Sequence, residues 1–228
     1  MKWLLIMSMF LDINGLIVQR DMDGGDTAGR EGDYWFAHVL NNESLDLVRF
    51  NKNLQLLQVE PGVFIRNPIN YNDPKDFSRD QTVPLILAMG EMKEYGTLKL
   101  LFKKQLLNFG RYQNGDIGLI GDLGYYIRAF KMWYLYPILI LGDAQLLVNS
   151  IIRCIKGRNY DDVSDDINHT LGLLQAQNTY PTPVSWLARK VYKHFRPGGI
   201  QRAWDWYFRP DSGANPFNEM YRNLIDKM

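Results

Sequence analysis

Apolar residues recur at helical spacing along most of the chain. After Asp26, the stretch TAGREGDYWFAHVLNN places Trp35, His38 and Val39 on one side, which predicts a helix from about residue 26 to 42 with Asp26 as its N-cap. A further helix is predicted from Asp76 or Ser78 to about residue 95. The same spacing continues to the C-terminus and predicts about eight or nine helices with short connections, an arrangement typical of antiparallel helical hairpins.

Two long apolar runs are predicted to be core helices. The N-terminal run MKWLLIMSMFLDI has no small-residue cleavage site before Asp12, so we expect a retained, buried helix that is too short to span a bilayer. The run FKMWYLYPILILGDAQLLVNSII contains Pro137, Gly142 and Asp143, which predicts two helices that meet near Pro137 and Gly142. No convincing cleavable signal peptide or transmembrane helix is predicted, and the localisation stays open.

One region departs from the helical spacing. In LDLVRFNKNLQLLQVEPGVFIRNP, short apolar alternations are broken by NKN and PG, which predicts a small β-hairpin near residues 45–68. No repeat, low-complexity segment or linker divides the chain. We therefore expect a single helical domain over residues 1–228, of the mainly α class, with this hairpin inserted in it.

Composition and motifs exclude several classes of protein. With 26 Lys and Arg against 25 Asp and Glu, the net charge of +1 disfavours nucleic-acid binding. The single cysteine, Cys154, cannot form an intramolecular disulfide and is predicted to be a buried thiol. The three histidines lack paired spacing, so no metal or cofactor is predicted. The absence of GxSxG, P-loop and GxGxxG motifs removes serine hydrolases, NTPases and dinucleotide enzymes.

Two acidic stretches have part of the pattern of a cation site. Asp21, Asp23 and Asp26 begin with the spacing of an EF-hand loop, but the twelfth position is Gly32 instead of a bidentate Glu. A solvated turn is the favoured interpretation. The run DDVSDD at Asp161–Asp166 is best explained as the acidic first turn of a helix.

Polar clusters occur at four predicted helix starts. Helix capping explains the acids of the two later clusters, Asp122 and Asp143. The first two contain more than capping requires, because each places an Arg in the first turn, close to the positive end of the helix dipole. If successive hairpins pack side by side, every second helix starts on the same face, and the clusters then converge on one polar cleft. The four clusters are Gly24–Glu31, Asp76–Thr82, Gly121–Tyr126 and Gly142–Gln145.

Such a cleft combines acids for proton transfer with guanidinium groups and aromatic rings. We predict Asp26, Asp80 and Glu31 as catalytic carboxyl groups. Guanidinium groups hold anionic or hydroxylated groups, and aromatic rings offer stacking surfaces. The predicted substrate-binding residues are Arg30, Arg66, Arg79, Asp76, Trp35 and Tyr71.

A resemblance adds to this interpretation. The order of GGDTAGREGDYWF, GVFIRNP and DPKDFSRDQTVPLILAMG, within about residues 12–90, resembles bacterial and phage proteins with a helical (α/α) toroid. Such toroids are similar in architecture to glycoside hydrolases and polysaccharide lyases. The resemblance implies an incomplete (α/α) toroid-like array of helical hairpins, because a full double ring needs a longer chain. It also implies a glycan-active or glycan-binding protein, with a polysaccharide or oligosaccharide as its partner.

Two other hypotheses stay open. The same charges in a buried network that fixes helix packing would indicate a non-catalytic structural or interaction protein, such as a phage virion component with protein partners in an assembly. That hypothesis would be favoured if Arg30, Arg79 and Asp80 were fully paired with each other and closed to solvent. Membrane association through Trp3, Leu4 and Phe10, exposed together, is the least favoured.

Overall fold

The computed structural model of the chain describes residues 10–18, 22, 24–40, 46–118, 120–156 and 182–187. This part of the chain is mainly helical, as predicted, with two short antiparallel strand pairs. Its residues fall into two compact units, the first ending at Ile117 and the second beginning at Gly118. The expectation of a single domain stays a prediction.

The described residues of the first unit form four α-helices and both strand pairs. Its helices are α1 (Thr27–Leu40), α2 (Leu47–Leu57), α3 (Arg79–Glu91) and α4 (Tyr95–Leu107), with a 3₁₀ turn at Pro74–Asp76. Strand β1 (Phe10–Leu11) pairs with β2 (Ile17–Val18), and β3 (Gln58–Glu60) pairs with β4 (Val63–Phe64).

A tight turn at residues 12–16 connects β1 to β2. The Asp12 carboxylate accepts the backbone N–H groups of Asn14 and Leu16, and Gly15 adopts a φ of +83°, so the chain reverses and pairs β1 with β2. The predicted buried N-terminal helix therefore does not extend through Phe10–Leu11, which form an exposed strand. Residues 1–9 of that prediction lie outside the described residues.

Helices α1 and α3 pack against each other through glycine. A Cβ atom at Gly32 would lie 2.4 Å from the carbonyl carbon of Pro84 and 2.5 Å from the nitrogen of Leu85, and a Cβ at Gly29 would lie 3.2 Å from the Asp80 oxygen. Because Gly29 lies beside Asp80 and Gly32 beside Pro84, the two helices run parallel. Pro84 is accommodated within α3, although it removes one backbone donor there.

Residues 47–57 are helical, which corrects part of the predicted hairpin. Asp46 caps α2 by accepting a backbone N–H, and the buried Phe50, Leu54 and Leu57 recur at intervals of four and three residues, the spacing of one helix face. The hairpin itself is confined to Gln58–Phe64, inside the predicted range. Beyond the prediction, the described residues include the second strand pair, β1 with β2.

The last part of the first unit is a capped helix end followed by a short loop. Helix α4 ends at Leu107, and the N–H of Gly110, whose φ is +75°, donates to the Gln105 carbonyl at 2.9 Å. Gly110, in the left-handed region, thus closes the helix. In the loop, the Gln113 amide donates to the Phe64 carbonyl at 2.7 Å, which ties the loop to the hairpin.

The second unit is built on an α-hairpin of α5 (Ile120–Ala129) and α6 (Tyr136–Lys156). The prediction of two helices meeting near Pro137 and Gly142 is wrong, because α6 is continuous. Pro137 is its second residue, where no N–H is needed, and Gly142 permits close packing, since a Cβ there would lie 2.8 Å from the Ile120 carbonyl oxygen. No helix in the described ranges is long and apolar enough to cross a membrane.

A buried ion pair holds the second unit together. Asp143, predicted as a helix cap, instead lies within α6 and accepts from Arg128 at 2.9 Å and from the Thr182 hydroxyl at 2.5 Å. Burial lowers the pKa of Arg128, and the neighbouring Asp143 carboxylate opposes that change. Thr182 and Ser185 bond reciprocally at the start of the helical turn over 183–187, so the ion pair also anchors this turn.

Candidate functional site

The structure brings together the first two predicted helix starts. The N–H of Gly29 in α1 donates to the Gln81 amide oxygen of α3 at 2.8 Å, and the Gln81 amide nitrogen donates to Asp26 Oδ1 at 3.2 Å. The parallel packing of α1 and α3 therefore places both N-terminal turns side by side. The two later clusters belong to the second unit.

Four charged residues at these two starts are half-buried: Asp26, Arg30, Arg79 and Asp80. We call them the helix-start surface. Asp26 directly precedes α1, and Asp80 Oδ1 accepts from the hydroxyl of Ser78, the N-cap residue of α3. The Nε of Arg30 is shielded from solvent and has no hydrogen-bond partner among the described residues. All four side chains retain some exposure to solvent, so the full burial that would favour a purely structural network is not observed.

Glu31 lies beneath the surface, in the core. Its side chain is 1% exposed, and Oε1 accepts the Ile17 N–H at 2.9 Å. Oε2 accepts from the Trp35 indole and the Asn53 amide, both at 3.0 Å. These bonds join β2, α1 and α2. Glu31 and Trp35, predicted as a catalytic acid and a substrate-binding ring, therefore both belong to the packed interior.

The buried Glu31 predicts a pH dependence of stability. Burial raises the pKa of Glu31 above its usual value of 4.5, and its hydrogen bonds and Arg49 only partly oppose this rise. Between the unfolded and folded pKa values, the folded chain holds a proton that the unfolded chain has released. The contribution of Glu31 to the free energy of unfolding therefore decreases as the pH rises above 4.5.

Urea unfolding of the wild type and of Glu31→Gln across this pH range tests the sign. As the pH rises, we expect the unfolding free energy of the wild type to fall relative to that of the variant. The reason is that Gln carries no titrating proton, so the variant lacks the Glu31 contribution that decreases with pH. Parallel pH profiles for the two proteins would contradict the prediction. Taking the difference cancels the titration of the other carboxyl groups, including Glu91, whose pKa burial also raises.

Arg66 is engaged by the protein itself. Its Nε donates to the Asp76 carbonyl at 2.5 Å, Nη1 to the Gly25 carbonyl at 3.1 Å and Nη2 to the Ser78 hydroxyl at 3.0 Å. The guanidinium thereby links the segment after β4 to the starts of α1 and α3. Asp76 is exposed and takes part in this link through its backbone carbonyl. Arg66 thus positions the helix starts, whereas its predicted role was to bind substrate.

Tyr71, the remaining predicted binding residue, lies in a tight loop. It is half-buried and exchanges two backbone hydrogen bonds of 3.1 Å with Asn67. The predicted residues therefore separate into a supporting group below the helix starts and the four residues of the helix-start surface.

Two amides were missed by sequence reasoning. Gln81 is 2% exposed and bridges α1 to α3, and Asn67 is 1% exposed and donates to Asp12 and Thr27 at 3.2 and 3.1 Å. Ser78-Arg-Asp-Gln81 matches the capping-box pattern, which was a usable signal for Gln81. In the structure Ser78 makes no side-chain capping bond, and Gln81 reaches across to the other helix instead.

No group of three or more His, Cys, Asp or Glu side chains in the described ranges is placed to hold a metal ion. The described ranges do not include three parts of the two acidic stretches: Asp21, Asp23 and the run Asp161–Asp166. No protein-family model, curated protein or solved structure matches the chain. Functional inference therefore depends on the chemistry of the helix-start surface.

Proposed function

We propose that this chain is a glycan-active protein and that the helix-start surface contacts the sugar. One observation carries the proposal: α1 and α3 start side by side, and each start presents a half-buried Asp together with a half-buried Arg. Most glycoside hydrolases use a pair of carboxyl groups, and guanidinium groups bind anionic groups. A helix N-terminus also attracts negatively charged groups.

Asp26 and Asp80 take the acid and base roles in this proposal. A glycoside hydrolase uses two carboxyl groups that flank the scissile bond, and a polysaccharide lyase uses a base together with a cation that neutralises the uronate. Arg30 and Arg79 supply the cationic groups and the donors for sugar oxygens. Glu31 and Arg66 support the surface from within the protein.

The proposal extends to the arrangement of the helices. Helices α1 and α3 run parallel and are separated in the chain by α2, which is the relation between alternate helices in a ring of helical hairpins. This relation supports an incomplete (α/α) toroid-like array. In such an array, alternate helix starts line one face, and ligands that need several converging side chains bind there.

Incubation with neutral and uronate-containing polysaccharides tests the proposal. Reducing ends report hydrolysis, and ultraviolet absorbance of unsaturated sugars distinguishes a lyase. We expect product from at least one substrate, and Asp26→Asn or Asp80→Asn should lower the rate by about 100-fold or more, as for loss of a general acid or base. Glu60→Gln, which changes an exposed acid on β3, serves as the matched control and should keep full activity.

Full activity in both Asp variants would contradict the roles proposed for Asp26 and Asp80, and no product from any substrate would contradict an enzymatic role. A specific observation then favours the second candidate, a non-catalytic structural or interaction protein such as a virion component. That observation is the set of internal bonds made by Arg66 and Glu31, which join several elements of the first unit. Loss of thermal stability in the Asp variants, without any activity to lose, is the result expected for that candidate.

A further inference from the structure

The outward side of α4 combines lysine with exposed apolar residues. Leu98 and Leu101 are buried and attach the helix to the first unit. The helix contains no Asp or Glu. Leu106 and Leu107 are 54% and 69% exposed, although leucine is usually buried. The exposed residues of the helix also include Lys99, Leu100, Lys103 and Lys104.

Phe109 extends this apolar surface past the end of α4. Its side chain is 94% exposed, and its φ of 53° lies in the left-handed region that non-glycine residues rarely occupy. The bond from Gly110 N to the Gln105 carbonyl fixes the chain in this turn. An aromatic ring is thus held in solvent by a defined backbone conformation, two residues after Leu107 in the chain.

We propose that the α4 surface, formed by Lys99, Lys103, Lys104, Leu106, Leu107 and Phe109, docks on an anionic membrane. Charge complementarity selects a negatively charged partner, since the surface contributes three ammonium groups and no carboxylate. The exposed Leu and Phe side chains suit the boundary between headgroups and acyl chains. The lysine stems lie along apolar surface while their ammonium groups reach the lipid phosphates.

A lipid layer fits this surface better than a protein partner does. Lysine is depleted from the cores of protein interfaces, because burial there removes its hydration. On this surface Lys103 and Lys104 lie one turn or less from Leu106 and Leu107, so a protein that covered the leucines would also cover the lysines. At a membrane, the lysines can contact lipid phosphates while the leucines contact acyl chains. The surface shares no residue with the helix-start surface, so its docking is independent of any glycan activity.

Co-sedimentation of the full chain with phosphatidylcholine vesicles, with and without phosphatidylserine, tests the proposal. We expect binding only to the phosphatidylserine vesicles, weakened by added salt. Lys103→Gln with Lys104→Gln should weaken the binding roughly thirtyfold, since each basic residue near such a surface contributes about fivefold. Leu107→Ser with Phe109→Ser should abolish binding. Val48→Ser with Lys52→Gln, exposed positions on α2, is the matched control and should bind normally.

Several results would overturn the proposal. Failure of the wild type to bind either vesicle would do so, and so would equal binding to both. Binding that survives the α4 variants but disappears in Trp3→Ser with Leu4→Ser would assign the membrane contact to the N-terminal run. A dimer in solution that the α4 variants dissociate would assign the surface to a second copy of the chain. Unchanged circular dichroism confirms that each variant is folded.

Discussion

The Glu31→Ala variant is expected to lose about 4 kcal/mol of unfolding free energy. The substitution removes the acceptor of three buried donors, which are the N–H of Ile17, the indole N–H of Trp35 and the amide of Asn53. Each donor left without a partner in the interior costs about 1–3 kcal/mol, and the shortened side chain also leaves a cavity. Urea unfolding followed by tryptophan fluorescence measures the loss.

Glu60→Ala is the matched control for this substitution. Glu60 is an exposed carboxylate on β3, and its removal should change the unfolding free energy by less than about 0.5 kcal/mol. A loss below about 1 kcal/mol for Glu31→Ala would show that its three bonds do not hold the strands and helices together. Comparison of the two variants distinguishes the effect of losing buried hydrogen bonds from the effect of losing a negative charge.

The Gly32→Ala variant is expected to lose about 3 kcal/mol, the upper part of the range for overpacking a core. The new methyl group would lie 2.4 Å from Pro84 carbonyl carbon and 2.5 Å from Leu85 nitrogen. Both are backbone atoms, so no side chain can rotate away, and α1 must separate from α3. Thermal and urea unfolding of the purified variant measure this effect.

Gly96→Ala is the matched control, and it is expected to raise the unfolding free energy. Gly96 lies in the first turn of α4, and nothing lies within 4 Å of a Cβ atom built there. Alanine should therefore stabilise the helix by about 0.5–1 kcal/mol through its higher helix propensity. Equal effects at Gly32 and Gly96 would contradict the close approach of α1 and α3.

The sequence predicted those elements in which local rules agree with tertiary packing. The start of α1 after Asp26 was predictable because a good capping residue precedes a helical apolar pattern. The end of α4 was predictable because Gly110 suits the left-handed turn that closes a helix. The meeting of the α1 and α3 starts also followed from the expectation that alternate helices in hairpins start on one face.

Other features depend on contacts between distant residues, which no local pattern reports. In α2, NKN was interpreted as a turn, but Asn53 is buried because it donates to Glu31 in another helix. Asp143 was interpreted as a cap, but its partners, Arg128 and Thr182, come from two other segments of the second unit. Glu31 was assigned to catalysis because the sequence cannot show that three donors surround it.

The stretch GGDTAGREGDYWF therefore has two roles in this account. Its glycines let other backbone and side-chain groups approach closely, as Gly24 does for Asn67 and Gly32 for Pro84. Glu31 and Trp35 point to the interior, where they hold neighbouring elements in place. Asp26 and Arg30 keep partial exposure at the helix start. In our proposal the buried residues fix the geometry, and the half-buried ones contact the ligand.

The central claim is that the helix-start surface recognises a glycan, and a glycan array tests it most directly. Wild-type protein and a double variant, Arg30→Gln with Arg79→Gln, would be applied to the same array after their melting temperatures have been compared. The account predicts that the wild type is retained on at least one carbohydrate and that the equally stable double variant is not, because the two guanidinium groups bind the sugar in the proposal. Retention of the double variant at the wild-type level, or no retention of the wild type on any carbohydrate, would contradict it.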